Sequence, residues 1–123
     1  MSTLEWNAGN EERRGEERRQ APRIDLLVEL KGYIITLGDA ATILQLSVKG
    51  MTVQTTVRLA LNQTHDFRLN LESGPLDVRT RVVHSRFVVE GDDVSYVSGL
   101  AFVDPTPAAT ATLEALIASL SAK

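Results

Sequence analysis

The chain has 123 residues, of which 43% are hydrophobic and 24% charged, and its formal net charge is −3. These values are typical of one globular domain with one core. The absence of cysteine excludes disulfide scaffolds, thiolate metal sites and cysteine nucleophiles. No apolar run approaches the roughly 20 residues that cross a bilayer. Because residues 1–10 also lack a basic start followed by an apolar run, we expect a cytoplasmic protein.

Residues 1–17 are predicted to be a flexible charged tail. Their sizeable apolar side chains are Leu4 and Trp6, so hydrophobic burial offsets little of the cost of ordering them. Five of the thirteen basic residues of the chain crowd into residues 11–23, namely Arg13, Arg14, Arg18, Arg19 and Arg23. We call residues 11–23 the arginine arm, and it is the first feature that indicates a function.

The residues after Pro22 alternate in the way that is typical of β-strands. Ile24, Leu26, Val28 and Leu30 share one parity, which predicts a half-buried strand. Further alternating or β-branched runs predict strands at about 41–46, 51–59, 65–71, 76–89 and 94–103. Turn residues at 31–32, 38–39, 49–50, 61–63, 73–75 and 91–93 separate these runs. Short links favour antiparallel neighbours, and so many strands in a small domain leave exposed edges unless the sheet closes. We therefore predict a mostly β fold, a small six-stranded antiparallel β-barrel.

The last segment changes to a helical period. Leu113, Leu116, Ile117 and Leu120 lie on one stripe, and Thr106 with Pro107 supplies an N-cap and a first-turn proline. An amphipathic C-terminal helix is predicted at about 106–121. Its apolar stripe is expected to pack on the mouth or the outer face of the barrel.

Two short segments carry a resemblance to a known family. Residues 18–23 (RRQAPR) precede the first strand, and residues 45–50 (QLSVKG) lie at the end of the second. Together they resemble the signature of the PilZ family, in which an RxxxR motif and a downstream [D/N]xSxxG motif form the receptor site for cyclic di-GMP, a bacterial second messenger. Residues 98–104 (SGLAFVD), followed by a helix, are similar to the closing strand and helix of the family. The resemblance implies a PilZ-like split barrel over residues 18–123.

The motif residues are matched one by one. Arg19 and Arg23 match the RxxxR motif, and Ser47 and Gly50 match the second motif. Gln45 stands where the family has Asp or Asn. A second RxxxR copy exists at Arg14 and Arg18, but the Arg19/Arg23 copy directly precedes the first strand and leaves room for a strand and its return before Gln45.

The resemblance implies that Arg18, Arg19 and Arg23 bind the ligand against Gln45, Ser47 and Gly50. A guanidinium donates two parallel hydrogen bonds to phosphate oxygens or to the O6 and N7 atoms of guanine. A flexible arm that becomes ordered on the ligand would be the signal read by a downstream protein partner. Glutamine at position 45 offers one carbonyl acceptor where Asp offers two oxygens. The alternative is therefore a PilZ-like protein-interaction module that no longer binds nucleotide.

Other functions are disfavoured by the sequence. No GxSxG, phosphate-loop or HExxH motif occurs, so we expect no enzyme activity and no cofactor. His65 and His84 have no companion at metal-ligand spacing, and the acidic run at Glu90, Asp92 and Asp93 is typical of a solvated hairpin turn, so no metal site is expected. Non-specific nucleic-acid binding through the arm is disfavoured, because the four glutamates at positions 11, 12, 16 and 17 cancel most of its positive charge, and no specific nucleic acid is expected as a partner.

Overall fold

The computed structural model describes residues 24–121, which form six strands and one helix. The strands are β1 (Ile24–Ile34), β2 (Asp39–Leu46), β3 (Gly50–Thr55), β4 (Thr64–Leu71), β5 (Gly74–Glu90) and β6 (Asp93–Phe102), and the helix is α1 (Pro107–Ser121). The predicted antiparallel barrel with a C-terminal helix is confirmed. The predicted tail, residues 1–17, lies outside the described residues.

The six strands close into a barrel in the order β1-β2-β3-β6-β5-β4. Every pairing is antiparallel, and β4 returns to β1 through the pairs Gly32–Leu69 and Ile34–Phe67. Neighbouring strands are joined by short turns except where β3 meets β6 and where β4 meets β1. Pairing along both edges satisfies the backbone hydrogen bonds of strands that would otherwise be open.

The core lies inside the barrel and is built from alternate residues of the strands. It contains Ile34, Ala41, Ile43, Leu46, Met51, Val53, Leu59, Phe67, Leu69, Val78, Val82, Leu100 and Leu113. Leu59 enters from the loop between β3 and β4, and Leu113 enters from α1, and each is at most 1% exposed. The interior is thus filled by strand residues together with one side chain from a loop and one from the helix.

Two of the sequence expectations about strand ends are wrong. Lys31 and Gly32 do not form a turn, because β1 continues through them to Ile34. A Cβ on Gly32 would lie 3.0 Å from Cδ1 of Ile43 and 3.1 Å from the carbonyl oxygen of Arg68, so this glycine permits close approach of neighbouring strands. Strand β3 ends at Thr55 rather than at position 59.

Helix α1 begins as its sequence predicts. The amide of Ala109 donates a 3.0 Å hydrogen bond to Oγ1 of Thr106, which caps the helix ahead of Pro107. Leu113 is fully buried, and Leu116 and Ile117 pack against the core. The apolar stripe therefore faces the barrel, where the helix contacts β1 and β5. Within residues 24–121, no helix is long and apolar enough to cross a membrane.

Candidate ligand-binding site

The start of β1 lies beside the end of β2, where the second motif is found. Ile24 pairs with Leu46, and Asp25 pairs with Gln45. Directly opposite Cα atoms in antiparallel strands are about 4.5–5.5 Å apart. The chain therefore enters the barrel next to the segment 45–50. Arg18, Arg19 and Arg23 lie outside the described residues.

Ser47 is the first residue of the turn between β2 and β3, and it makes several of the hydrogen bonds of the turn. Its hydroxyl oxygen accepts hydrogen bonds from the amides of Lys49 (3.1 Å) and Gly50 (3.2 Å), and the hydroxyl donates to the carbonyl of Gly50 (3.3 Å). The amide of Ser47 donates to the same carbonyl at 2.9 Å. Since Ser47 is 2% exposed, its hydroxyl is fully engaged in holding this corner.

Gly50 is required by the packing of β3 against β6. A Cβ at this position would overlap the carbonyl oxygen of Leu100 and would stand 3.2 Å from the carbonyl carbon of that residue. On the same strand pair, the amide of Phe102 donates a 2.9 Å hydrogen bond to the carbonyl of Lys49. The corner formed by residues 47–50 is therefore joined to the end of β6.

Gln45 lies between β1 and β3, with its side chain partly buried. It pairs with Asp25 on one side and with Thr52 on the other. The hydroxyl of Thr52 donates to Oε1 of Gln45 at 3.2 Å. The register of β2 on β3 shifts between Ile43 and Gln45, and such a bulge re-aims the side chains beside it. Sequence reasoning missed Thr52, because symmetric counting from a turn at 47–49 places Met51, not Thr52, opposite Gln45.

The two histidines lie on strands and differ in their surroundings. His65 is 7% exposed, and its Nδ1 lies 3.0 Å from the hydroxyl oxygen of Thr36. The imidazole of His84 occupies the space that a Cβ on Gly99 would need. In the part of the chain that the structure describes, no three His, Asp or Glu side chains group as metal ligands would.

A cavity of about 340 Å³ lies elsewhere, where β6 leads into α1. Its lining includes Asp66, Arg79 and Thr106 but none of the three motif residues of β2 and β3. The guanidinium of Arg79 donates to Asp66 at 2.9 Å, and this hydrogen bond raises the pKa of Arg79. The cavity is thus separate from the motif corner, and we place the candidate site at the corner because the family motif and the strand register meet there.

The cavity wall carries a second ion pair, in which Arg68 binds Asp77 through two hydrogen bonds of 2.7 and 3.0 Å. Hydrogen bonding from Arg68 lowers the pKa of the Asp77 carboxyl. Both side chains are about half exposed, at 49% and 53%. A surface pair of this kind stabilises a fold only weakly.

Comparison with known proteins identifies the family. The model of the PilZ domain matches residues 13–119. The chain therefore belongs to the PilZ family. No curated protein matches the sequence significantly.

Solved structures share this fold at low sequence identity. The PilZ domain of YcgR from Escherichia coli with c-di-GMP is 18% identical, with a TM-score of 0.66 over 85% of this chain and 92% of that domain. The K. pneumonia MrkH–c-di-GMP complex is 16% identical, with a TM-score of 0.67 over 84% of this chain and 52% of that one. The Bacillus subtilis inhibitor of motility MotI/DgrA is 16% identical, with a TM-score of 0.62 over 78% and 47%. The chain spans about half the length of MrkH and of MotI.

Proposed function

We propose that this PilZ domain is a cyclic di-GMP receptor whose ligand lies between the arginine arm and the barrel wall at Gln45. The observation that carries the proposal is the register of β1, in which Ile24 is opposite Leu46 and Asp25 is opposite Gln45. Arg23 immediately precedes Ile24 in the sequence, and consecutive Cα atoms are about 3.8 Å apart. The second motif arginine is therefore tethered within a short reach of the corner.

In this proposal the arm and the wall have different roles. Arg18, Arg19 and Arg23 bind the phosphates and stack on or hydrogen-bond the guanines, as planar guanidinium groups do. Gln45 faces the polar edge of a guanine. The turn around Ser47 and Gly50 gives the wall its shape, because the Ser47 hydroxyl is already bonded within the turn.

The comparisons support this ligand. The YcgR domain and MrkH, whose solved structures are complexes with c-di-GMP, share the barrel of this chain. In our proposal the domain acts as a cytoplasmic receptor and adaptor rather than as an enzyme. Ligand binding orders the arginine arm, and the ordered arm presents a new surface to a downstream protein partner.

Calorimetric titration of the full chain with cyclic di-GMP tests the site. Saturable heat is expected from the wild type, and Arg19→Ala and Arg23→Ala are each expected to abolish it. Arg14→Ala is the matched control, because it removes the first arginine of the other RxxxR copy and should leave binding unchanged. Loss of binding in Arg14→Ala together with retained binding in Arg19→Ala would contradict the proposal, because it would show that Arg14 and Arg18, not Arg19 and Arg23, form the binding motif.

Position 45 offers a gain-of-affinity test. Aspartate accepts two hydrogen bonds from the N1 and N2 edge of guanine, so Gln45→Asp is expected to tighten binding. One restored contact corresponds to about 1–3 kcal/mol, or roughly ten- to a hundred-fold in Kd. An unchanged Kd in Gln45→Asp would place residue 45 outside the ligand site.

Ordering of the arm has its own readouts. Trp6, the one tryptophan of the chain, lies ahead of the arginines and reports on this segment by fluorescence. Trypsin cleaves after arginine, so cyclic di-GMP is expected to slow cleavage between positions 13 and 23. Unchanged cleavage at saturating ligand would separate binding from arm ordering and refute the signalling step alone.

The alternative is a PilZ-like interaction module without nucleotide binding. It is favoured by Gln45, whose side-chain oxygen accepts from Thr52 and which replaces the Asp or Asn of the motif. This alternative predicts no heat with cyclic di-GMP, up to high micromolar concentrations, from a sample whose circular dichroism shows it to be folded.

A further inference from the structure

The hairpin formed by β5 and β6 extends beyond the rest of the barrel. Strand β4 pairs with β5 only from Gly74 to Arg81, and β3 pairs with β6 only from Tyr96 onward. The bonds of Val82 to the loop residues at positions 62 and 63 continue the covered edge by one residue. Among the described strands, residues 84–90 pair with β6 alone, and Val83 lies at the register shift between Val82 and His84. One edge of β5 is therefore open over these eight positions.

This open edge is rich in exposed apolar side chains. Val83 is 46% exposed, Phe87 58% and Val89 57%, and Val94 on the facing strand is 45% exposed. The ring of Phe87 packs edge-to-face on Tyr96, with centroids 5.6 Å apart, which holds it in place on the hairpin. An open strand edge with apolar side chains is a template for pairing with another strand.

We propose that this edge pairs with the same edge of a second copy of the chain, antiparallel about a two-fold axis at Val88. A two-fold interface must be complementary to itself. In antiparallel pairing about such an axis, opposite residues lie on the same face of the sheet. One residue must then lie directly opposite its own copy, with the axis passing midway between the two. The candidates for this residue near the middle of the open edge are Arg86, Phe87 and Val88.

Charge decides between these three registers. An axis at Arg86 sets two guanidinium groups opposite each other, which is unfavourable. An axis at Phe87 sets Arg86 opposite Val88 and Glu90 opposite His84, so Arg86 meets no carboxylate. An axis at Val88 sets Arg86 opposite Glu90 of the other copy, twice by symmetry, and sets Phe87 opposite Val89, also twice. Opposite charges and aromatic–β-branched pairs are both favourable across strands.

The charges on this edge complement a second copy rather than an unrelated strand. Arg86 and Glu90 are both exposed, and within residues 24–121 neither belongs to an ion pair. They are four positions apart on one face of β5, and the two-fold axis at Val88 sets Arg86 of each copy opposite Glu90 of the other. The dimer would therefore join the two barrels through one continuous sheet.

Sedimentation velocity of the full chain tests the dimer, over concentrations from about 1 μM to about 1 mM. The wild type is expected to shift from monomer to dimer within this range. Arg86→Glu and Glu90→Arg each set like charges opposite one another twice, so each is expected to raise the dimer Kd by about tenfold or more. Circular dichroism checks that both variants remain folded.

One mixture of the two single variants and one double variant make the test specific to the register. Arg86→Glu mixed with Glu90→Arg is expected to form a heterodimer, because both cross-strand pairs are then attractive. The double variant is expected to dimerise like the wild type for the same reason. Arg81→Glu is the matched control, since it makes the same charge change on the same strand where β4 covers the edge, and it should leave the dimer Kd unchanged.

Several results would overturn the proposal. One is a wild type that stays monomeric at about 1 mM, which would exclude a second copy of the chain as the partner of this edge. Another is weakened association in both single variants without recovery in the mixture or in the double variant, which would exclude the symmetric pairing at Val88. Equal weakening by the Arg81→Glu control would show that only net charge matters.

Discussion

Replacing Gly50 with alanine tests whether the motif glycine is held by the fold itself. The added Cβ would overlap the carbonyl oxygen of Leu100 and would stand 3.2 and 3.3 Å from the carbonyl carbon of Leu100 and the Cα of Ala101. These are backbone atoms of the paired strand β6, so no side chain can rotate away. Relief requires β3 and β6 to separate at the end of β3, next to the Ser47 turn. Overpacking of a core costs about 1–3 kcal/mol, and occasionally more, and we expect about 3 kcal/mol here because the obstacle is backbone.

In a domain of this size, 1 kcal/mol corresponds to about 4–8 °C in Tm, so Gly50→Ala is expected to lower Tm by about 12–24 °C. Differential scanning calorimetry without ligand measures this. Gly91→Ala is the control, because a Cβ there meets nothing within 4 Å and only its φ of 62° is unfavourable. That backbone strain costs about 1–2 kcal/mol. A Gly50→Ala variant that melts within a few degrees of the wild type would refute the steric argument.

Three further predictions follow from the described contacts. Ser47→Ala leaves the amide of Gly50 without its partner and should lower the unfolding free energy by about 1–3 kcal/mol in urea titrations. Leu113→Ala removes the helix side chain from the core and should cost about 2–5 kcal/mol, with a lower urea midpoint and an unchanged slope. Asp77→Asn tests the ion pair with Arg68. Because Arg68 lowers the pKa of Asp77, the pair stabilises the fold above the unfolded pKa of about 3.9 and ceases to do so as pH falls through the folded pKa.

Each of these predictions has a result that would contradict it. Full stability of Ser47→Ala would mean that the corner does not need the hydroxyl. Glu114→Ala, on the exposed side of α1, is the control for Leu113→Ala and should change stability by less than about 0.5 kcal/mol. For the ion pair, wild type should exceed Asp77→Asn in stability at neutral pH, and the two should converge in acid, once the pH is below the lowered pKa of the folded-state Asp77 carboxyl. If the difference in unfolding free energy between wild type and Asp77→Asn stayed constant from neutral to acid pH, the ionised Asp77 carboxyl would be excluded as its source.

Much of the fold could be predicted because its signals are local. Alternation in residues 65–71 and 76–89 depends on the two-residue period of a strand, and it predicted β4 and much of β5. Thr106 and Pro107 marked the start of α1 because a helix N-terminus needs a side-chain acceptor and tolerates proline. The turn at 91–93 was also recognisable from its glycine. The structure gives Gly91 a φ of 62°, which favours glycine.

The candidate site was only partly accessible from the sequence. The spacing of the motif selected Gln45, Ser47 and Gly50, and the register of β1 brings the start of the barrel beside them. The motif did not indicate which of its side chains can make hydrogen bonds to a ligand. The Ser47 hydroxyl is engaged within its own turn, and the Gln45 side chain accepts from Thr52. Hydrogen bonding of this kind depends on neighbours in space.

The sequence alone determined the kinds of element, their order and the family signature, because side-chain periodicity and capping act over a few residues. Tertiary structure alone decided that β3 lies beside β6, that Gly32 continues a strand, and that β5 keeps an open edge beyond position 82. These features depend on contacts between residues far apart in the chain. A glycine serves equally well in a turn or in a crowded strand, and only the partner strand decides between them.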